Sequence, residues 1–380
     1  MKCLLVIPRW SGQQTLASPS GRPYLDILLF CLGFDEIGLL ELTLDMPFDP
    51  MTYADEYKLI LIQGTPMIGG GRLRRSLLSN LGLSLGLDNT ESDRLRVVGA
   101  RPLYDINNNP SGFAINRRGH MVCYCESSIW EMRREFSKVV RHMLKENDVN
   151  KRKRPFSSWM VEGAGESLNL AQFMDEKEIV HCQVHPLPDG DSALMIPSRL
   201  GIEFKKRLQT RLGNRLYSTE PLPLEECLGR LLREAKVQVV FAESCTAGLI
   251  SARLSSVAGS SAYLSSSFVT YSNRSKERYL DVPTVLLERC GAVSPEVALA
   301  MARGALRVSG GDLAVSVTGI AGPDGGSPDK PVGTVFLAAV SQDGSVLEHH
   351  GFYKGSRDQI RFQTSQTALH LLRRMLINII

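Results

Sequence analysis

Two short apolar runs late in the chain, residues 237–241 (VQVVF) and 312–317 (DLAVSV), each stop at a turn dense in small residues. The first runs into AESCTAG and then a helical pattern, the second into TGIAGPDGG. An apolar run of this length bounded by glycine turns reads as a buried strand. Buried strands alternating with helices imply an α/β unit with helices packed on a sheet. Residues just past such strands lie at the carboxyl edge of the sheet, where open α/β sheets bind ligands.

The neighbouring patterns agree with that class. Leu224, Cys227, Leu228, Leu231 and Leu232 follow the spacing of an amphipathic helix. Residues 333–340 read as a third strand, and a long final helix starts at Arg357. In the front of the chain, residues 3–7, 58–62 and 121–125 read as strands. Residues 23–32 read as a helix closed by Gly33, and residues 129–144 as an amphipathic helix. The glycines at 69–71 lead to a basic helix start at Arg72. A chain of 380 residues is too long for one ordinary domain. A basic run ended by Pro155 reads as a solvated linker, with a nucleic-acid or phosphate contact as the other reading, and a second break falls near 218–223. Three units result: 1–149, 150–217 and 218–380. The middle one holds a helical stretch, a strand-like HCQVHPL, a turn at 188–191 and a basic helix over 204–212.

Composition excludes several classes. Hydrophobic residues make up 43% and charged residues 22%, which fits a globular chain and not a disordered, collagenous or coiled-coil one. A formal charge of +4 spread over this length gives no support to a dedicated nucleic-acid binder. No apolar run approaches a membrane span, and the start reads as a first strand and not as a signal peptide. The eight cysteines form no CxxC pair, and His181 and His185 lack a third metal ligand, so they read as a solvent-side pair. A reduced, cytoplasmic enzyme without a metal or other cofactor is the expectation.

Four clusters could carry chemistry, and the residues alone leave each open. Ser244 stands between a strand and a helix, either as a nucleophile beside backbone amides or as a helix cap. A serine nucleophile needs a base. No histidine is suitably placed, so Lys276 is the candidate, with Tyr271 able to relay a proton or position the substrate; otherwise Lys276 is a surface lysine in a charged helix start. The glycines after Thr318 either admit a ligand to the backbone or form a plain loop. Arg357 and Arg361 share a helix face and either clamp a phosphate or carboxylate or are solvated.

Taken together, AESCTAG, SFVTYSNRSK, GAVSPEVA, TGIAGPDGG, KPVGTV and GSRDQIR, in this order, resemble the carboxy-terminal domain of the CinA family over residues 222–380. The resemblance implies an αβα domain and a nicotinamide-nucleotide amidase that converts nicotinamide mononucleotide to nicotinic acid mononucleotide and ammonia. It implies Ser244 as nucleophile, Lys276 as general base and Tyr271 as their assistant. It further implies substrate-binding roles for Thr318 and Gly319 at the pocket wall, for Asn273, and for Arg357 and Arg361 at the phosphate. Glu243 and Thr246, flanking the nucleophile, are expected to fix the turn and meet the substrate. One departure is visible: Ala247 replaces the first glycine of the family's CTGG, and it is expected to be tolerated because alanine suits a helix start.

The front half is similar to the same family's amino-terminal domain. GRPYLDILLFCLGFD and the segment over 107–136 carry the likeness. That implies a three-layer αβα fold like the molybdopterin-binding proteins. The family's TGGLGPT-like loop and paired aspartates are replaced by IQGTPMIGGGRLRRS, so a metal lacks its oxygen ligands and pyrophosphatase chemistry is expected to be lost. The middle unit, from GAGESLNLAQF on, is similar to the family's small α+β connecting domain. The resemblance also implies a homodimer or higher homo-oligomer, a small-molecule substrate, and no nucleic-acid or membrane partner. The alternatives are an ADP-ribose pyrophosphatase acting through the front domain and a non-catalytic competence-associated protein.

Overall fold

The computed structural model describes residues 1–9, 21–32, 34, 36–43, 48–63, 70–87, 95–104, 110–125, 139–140, 142–143, 156–163, 170–179, 181–187 and 189–379. It is a mixed α/β protein. Gly33, the turn after Gln63, the linker over 150–155, Pro188 and most of the helix expected over 129–144 lie outside the described residues.

The first sheet contains β1 (Lys2–Arg9), β2 (Glu36–Thr43), β3 (Leu59–Gln63), β6 (Arg101–Tyr104), β7 (Pro110–Arg117) and β8 (His120–Cys125), with the hairpin β4 (Ser84–Leu87) and β5 (Leu95–Val98) beside it. Its order is β2-β1-β3-β8-β7-β6. The four strands from β2 to β8 run parallel, and β7 and β6 are antiparallel to their neighbours. Side chains alternate between faces along each strand. Cys3, Leu5, Leu59, Leu61, Cys123 and Cys125 therefore meet α1 (Gly21–Cys31) on one face. Leu4, Ile60, Ile62, Val122 and Tyr124 meet Leu73, Leu77 and Leu78 of α2 (Gly70–Asn80) on the other. Cys123 and Cys125 share a face, as their spacing predicts, and are free, buried thiols.

A second sheet, β10-β11-β9-β12, is antiparallel: β9 (Phe156–Val161), β10 (Gln183–Pro186), β11 (Ser192–Pro197) and β12 (Leu216–Ser218). A short helix α3 (Glu176–Ile179) precedes β10. Trp159, Val161, Leu194 and Ile196 pack on Phe204, Leu208 and Leu212 of α4 (Ile202–Leu212). Met160, Ala193 and Met195 point the other way and join the core around α1. His181 and His185 are exposed, and His181 takes a hydrogen bond with Arg199.

The third sheet positions the candidate site. Its order is β14-β13-β15-β16-β17, from β13 (Val239–Glu243), β14 (Leu264–Val269), β15 (Leu313–Gly319), β16 (Thr334–Ser341) and β17 (Val346–Phe352). The first three are mutually parallel, and the last two antiparallel. Val239 and Phe241 face a layer of α5 (Leu224–Ala235), α6 (Leu249–Ser255) and α10 (Arg357–Ile379). Val240 and Ala242 face α7 (Asn273–Leu280), α8 (Thr284–Cys290) and α9 (Pro295–Ser309). This is a three-layer αβα unit. Hydropathy sets β13 at residues 237–241, but the ladder shifts it to 239–243. Its pairing starts where Leu264 and Leu313 begin the neighbouring strands, and it carries the buried polar Glu243 as its last residue. Among the described residues, no helix is long and apolar enough to cross a membrane.

Candidate active site

Strand β15 runs two residues further, to Gly319, while the carboxyl ends of β13 and β14 coincide, with Glu243 opposite both Val269 and Val317. The ladder continues one step past them. The Ser244 N–H donates to the Val317 carbonyl at 3.1 Å, and the Thr270 N–H to the Glu243 carbonyl at 2.9 Å. Ser244 and Thr270 thus stand side by side at the sheet edge. The chain then turns into α7, whose N-cap Ser272 exchanges side-chain-to-backbone hydrogen bonds with Ser275 in a capping box. Side chains on a helix lean toward its N-terminus. Lys276, in the first turn of α7, therefore reaches back over the strand ends.

There its ammonium nitrogen lies 3.1 Å from Ser244 Oγ, 2.8 Å from the Thr270 carbonyl and 3.4 Å from the Tyr271 carbonyl. Lys276 is 1% exposed and Ser244 8% exposed. Burial disfavours the charged amine and lowers its pKa from 10.5 to about 8. All three hydrogen-bond partners are neutral, and among the described residues no carboxylate forms an ion pair with it. A carboxylate at 4 Å would contribute on the order of 4 kcal/mol at an effective dielectric of ~20, enough to restore an ordinary lysine. The arrangement supplies a serine hydroxyl beside an amine able to accept its proton near neutral pH.

The turn after Ser244 differs from the expected helix start. Helix α6 begins only at Leu249, after a Gly248 N-cap. Its amides at Ile250 and Ser251, together with the Ser251 hydroxyl, donate to the Glu243 carboxylate. Glu243 is fully buried. It occupies the helix N-terminus itself, a favourable place for an anion, and its oxygens point into the fold. Glu243 is therefore a clamp between β13 and α6, with no exposed surface of its own. Among the described residues, the amides of Cys245 and Thr246 in the turn have no backbone acceptor and face the Cys245 sulfur. Ala247 also differs: it lies inside the turn at φ 51°, in the left-handed region, and not at a helix start. An L-residue there costs roughly 1–2 kcal/mol, which is why a glycine is better suited to this position.

Helix α10 borders the site through its first turns. Arg361 donates to the Thr246 carbonyl at 3.0 Å, and its Nε is buried without a partner. Arg357 donates to the Gly322 carbonyl at 2.6 Å and to the Tyr271 hydroxyl at 2.9 Å, tying the glycine loop to the α7 entry. Tyr271 thus gives its carbonyl to Lys276 and its hydroxyl to Arg357. Its ring is 59% exposed, a place suited to contacting a substrate, with the hydroxyl on Arg357 and not on the serine–lysine pair. Thr246 is buried, and its hydroxyl has no partner. The Thr318 hydroxyl donates to the Ala292 carbonyl at 2.7 Å and so fixes the loop before α9. Gly319 is required by sheet packing, since a Cβ there would meet the Thr334 carbonyl at 2.8 Å. Asn273 is the exposed first residue of α7.

Thr270 is a site residue that motif reading passes over. It offers a carbonyl to Lys276 and a second buried hydroxyl without a partner. A backbone carbonyl acceptor carries no residue-type signal, so only the fold reveals it. Among the described residues, no three His, Cys, Asp or Glu side chains lie close enough to hold a metal ion.

Comparison with known proteins adds a family. The model of the CinA C-terminal domain matches residues 222–376. A CinA-like protein of Geobacter sulfurreducens is 52% identical over 170 residues, which cover 45% of this chain and 41% of that protein. A CinA-like protein of Chlorobium phaeobacteroides is 39% identical over 230 residues, 54% of this chain and 53% of the relative. The chain thus covers about half, or less, of the length of these curated relatives. The crystal structure of competence/damage inducible protein CihA from Agrobacterium tumefaciens is 45% identical and matches 40% of this chain and 96% of its own, with a TM-score of 0.39.

Proposed function

Residues 222–376 belong to the CinA C-terminal domain family, and on that premise we propose that the chain is a nicotinamide-nucleotide amidase working through Ser244 and Lys276. The observation that carries this reading is the buried, carboxylate-free Lys276 amine 3.1 Å from Ser244 Oγ. In its neutral form the amine takes the Ser244 proton as the oxygen attacks the carboxamide carbon of nicotinamide mononucleotide. The carbonyl becomes an oxyanion, held by backbone amides of the Cys245–Thr246 turn. The tetrahedral species collapses, the C–N bond breaks, and the Lys276 ammonium returns the proton to the leaving nitrogen as ammonia. Water then attacks the acyl–serine with Lys276 again as base, releasing nicotinic acid mononucleotide and free Ser244. Arg357 and Arg361 supply the positive charge for the substrate phosphate, and Tyr271 borders the entrance.

The test is ammonia release from nicotinamide mononucleotide, with EDTA present, by the wild type beside Ser244→Ala and Lys276→Ala. Metal-independent release lost in both variants is the expected result. No release by the wild type, or release that survives Ser244→Ala, would overturn the assignment.

A further inference from the structure

Helix α10 is gripped from outside its own sheet. Beyond Arg357 and Arg361, its inward face carries Ser365, Gln366, His370 and Arg373, each 3% exposed or less. Three elements of the second sheet's unit close on them. Asp191, just before β11, accepts from Gln366 Nε2 at 2.6 Å, and its oxygens lie 2.9 and 3.0 Å from His370 Nε2. Glu162, just after β9, pairs with Arg373 and Arg374. The Asn214 carbonyl accepts from Arg373. Asp191 is itself 2% exposed and is oriented by the Gly163 amide at 3.2 Å.

Gln366 is the branch point. Its amide nitrogen serves Asp191, while its amide oxygen accepts from Arg253 on α6. Arg253 also donates to Ser365 at 2.7 Å and pairs with Glu225 of α5 at 2.9 Å, all buried. Helix α6 is the helix whose other end is clamped by Glu243, the residue before Ser244. One turn and a half N-terminal to Gln366 on α10, Arg361 holds the Thr246 carbonyl. A single carboxylate from the second sheet's unit therefore fixes both the helix that carries the arginines and the helix anchored to the nucleophile turn.

We propose that Asp191 is a positioning residue for the active site, setting Arg357 and Arg361 at the height of the substrate phosphate through Gln366 and His370 on α10. The inference rests on the amidase reading above. It goes beyond that reading by placing part of the site's geometry outside the residues that match the family. Small displacements of a rigid helix alter directly the groups it carries, whereas Ser244, on the turn after β13, and Lys276, on α7, are reached only indirectly, through Arg253 and the Thr246 carbonyl.

The experiment compares nicotinamide mononucleotide with nicotinamide riboside, which lacks the phosphate, on the full chain and on Asp191→Ala and Gln366→Met. The ratio of the two kcat/KM values is independent of how much protein is folded, so a merely destabilised variant leaves it unchanged. The expected result is a loss of about tenfold in the preference for the mononucleotide in both variants, carried by KM. An unchanged ratio in either variant overturns the proposal, whatever happens to total activity. If the wild type releases no ammonia, the amidase reading fails separately. The same ratio is then taken from equilibrium binding of the two ligands to the Ser244→Ala chain with and without Asp191→Ala. An Asp191-independent preference there, or no binding, overturns the positioning role.

Discussion

A proton-accepting lysine must be neutral, so acidity is the most direct perturbation of this site. With the amine at about 8, roughly half of the chains hold it neutral at pH 8 and roughly one in a hundred at pH 6. Ammonia release should then fall about fiftyfold in kcat/KM between those two values and level off above pH 9. The cause is burial without a counter-charge, which a substitution can reverse. Cys245 follows the nucleophile, is 5% exposed, and is close enough for a charge on it to raise the Lys276 pKa. Cys245→Asp places a carboxylate there. At a separation on the order of 5 Å and an effective dielectric of ~20, the attraction is about 3 kcal/mol, or roughly two pKa units upward. Cys245→Asn has the same shape without the charge. A pH–rate profile of the three proteins should show inflections near 8 for the wild type and Asn, and about two units higher for Asp. Identical profiles for Asp and Asn, or a wild-type rate flat from pH 6 to 9, would refute the claim that burial without a counter-charge tunes this lysine.

Other consequences follow from the same turn. Lys276→Met should abolish ammonia release yet stabilise the fold. The folded pKa lies below the ordinary 10.5, so the native chain binds fewer protons than the unfolded one between about 8 and 10.5, and stability rises with pH across that window. Below it the cost is about 3 kcal/mol, against roughly 1–2 kcal/mol for leaving the Thr270 carbonyl unpaired; urea titration at pH 7 should show a net gain of about 1–2 kcal/mol. Ala247→Gly removes the left-handed strain at φ 51° but gives the unfolded chain more freedom, for a net gain of up to about 1 kcal/mol in thermal unfolding with kcat retained. Glu243→Ala strands two amides and a hydroxyl at the start of α6. Hydrogen exchange at Ile250 and Ser251 should accelerate by two orders of magnitude or so, the effect of about 3 kcal/mol, while Glu243→Gln gives a smaller change.

Local pattern was enough for much of the carboxy-terminal architecture. Apolar spacing in α5, the buried runs of β13 and β15, and the long α10 depend on neighbours a few residues apart, and periodicity reports those. The same reasoning put Ser244 at a strand end and picked Lys276 by the lack of a suitable histidine. It misjudged Ala247 and the use of the α6 amides because both depend on where the turn stops and the helix starts. That boundary is set by the Glu243 carboxylate folding back onto Ile250 and Ser251. For Thr318 and Gly319 the motif was visible, but the hydroxyl bond to Ala292 and the close approach of β16 were not.

What the amino-acid order determined here is which segments become strands, helices and small-residue turns, and which residue types those turns present. Tertiary structure alone decided that Lys276 loses its water and meets only neutral oxygens, because parallel register aligns Glu243 with Val269 and so brings together residues 32 positions apart. It alone decided that Asp191 grips Gln366 and His370 across 175 and 179 positions. A carboxylate in a turn and a glutamine on a helix carry no mark of partnership in the sequence, since burial and distance between remote segments exist only once the sheets have packed.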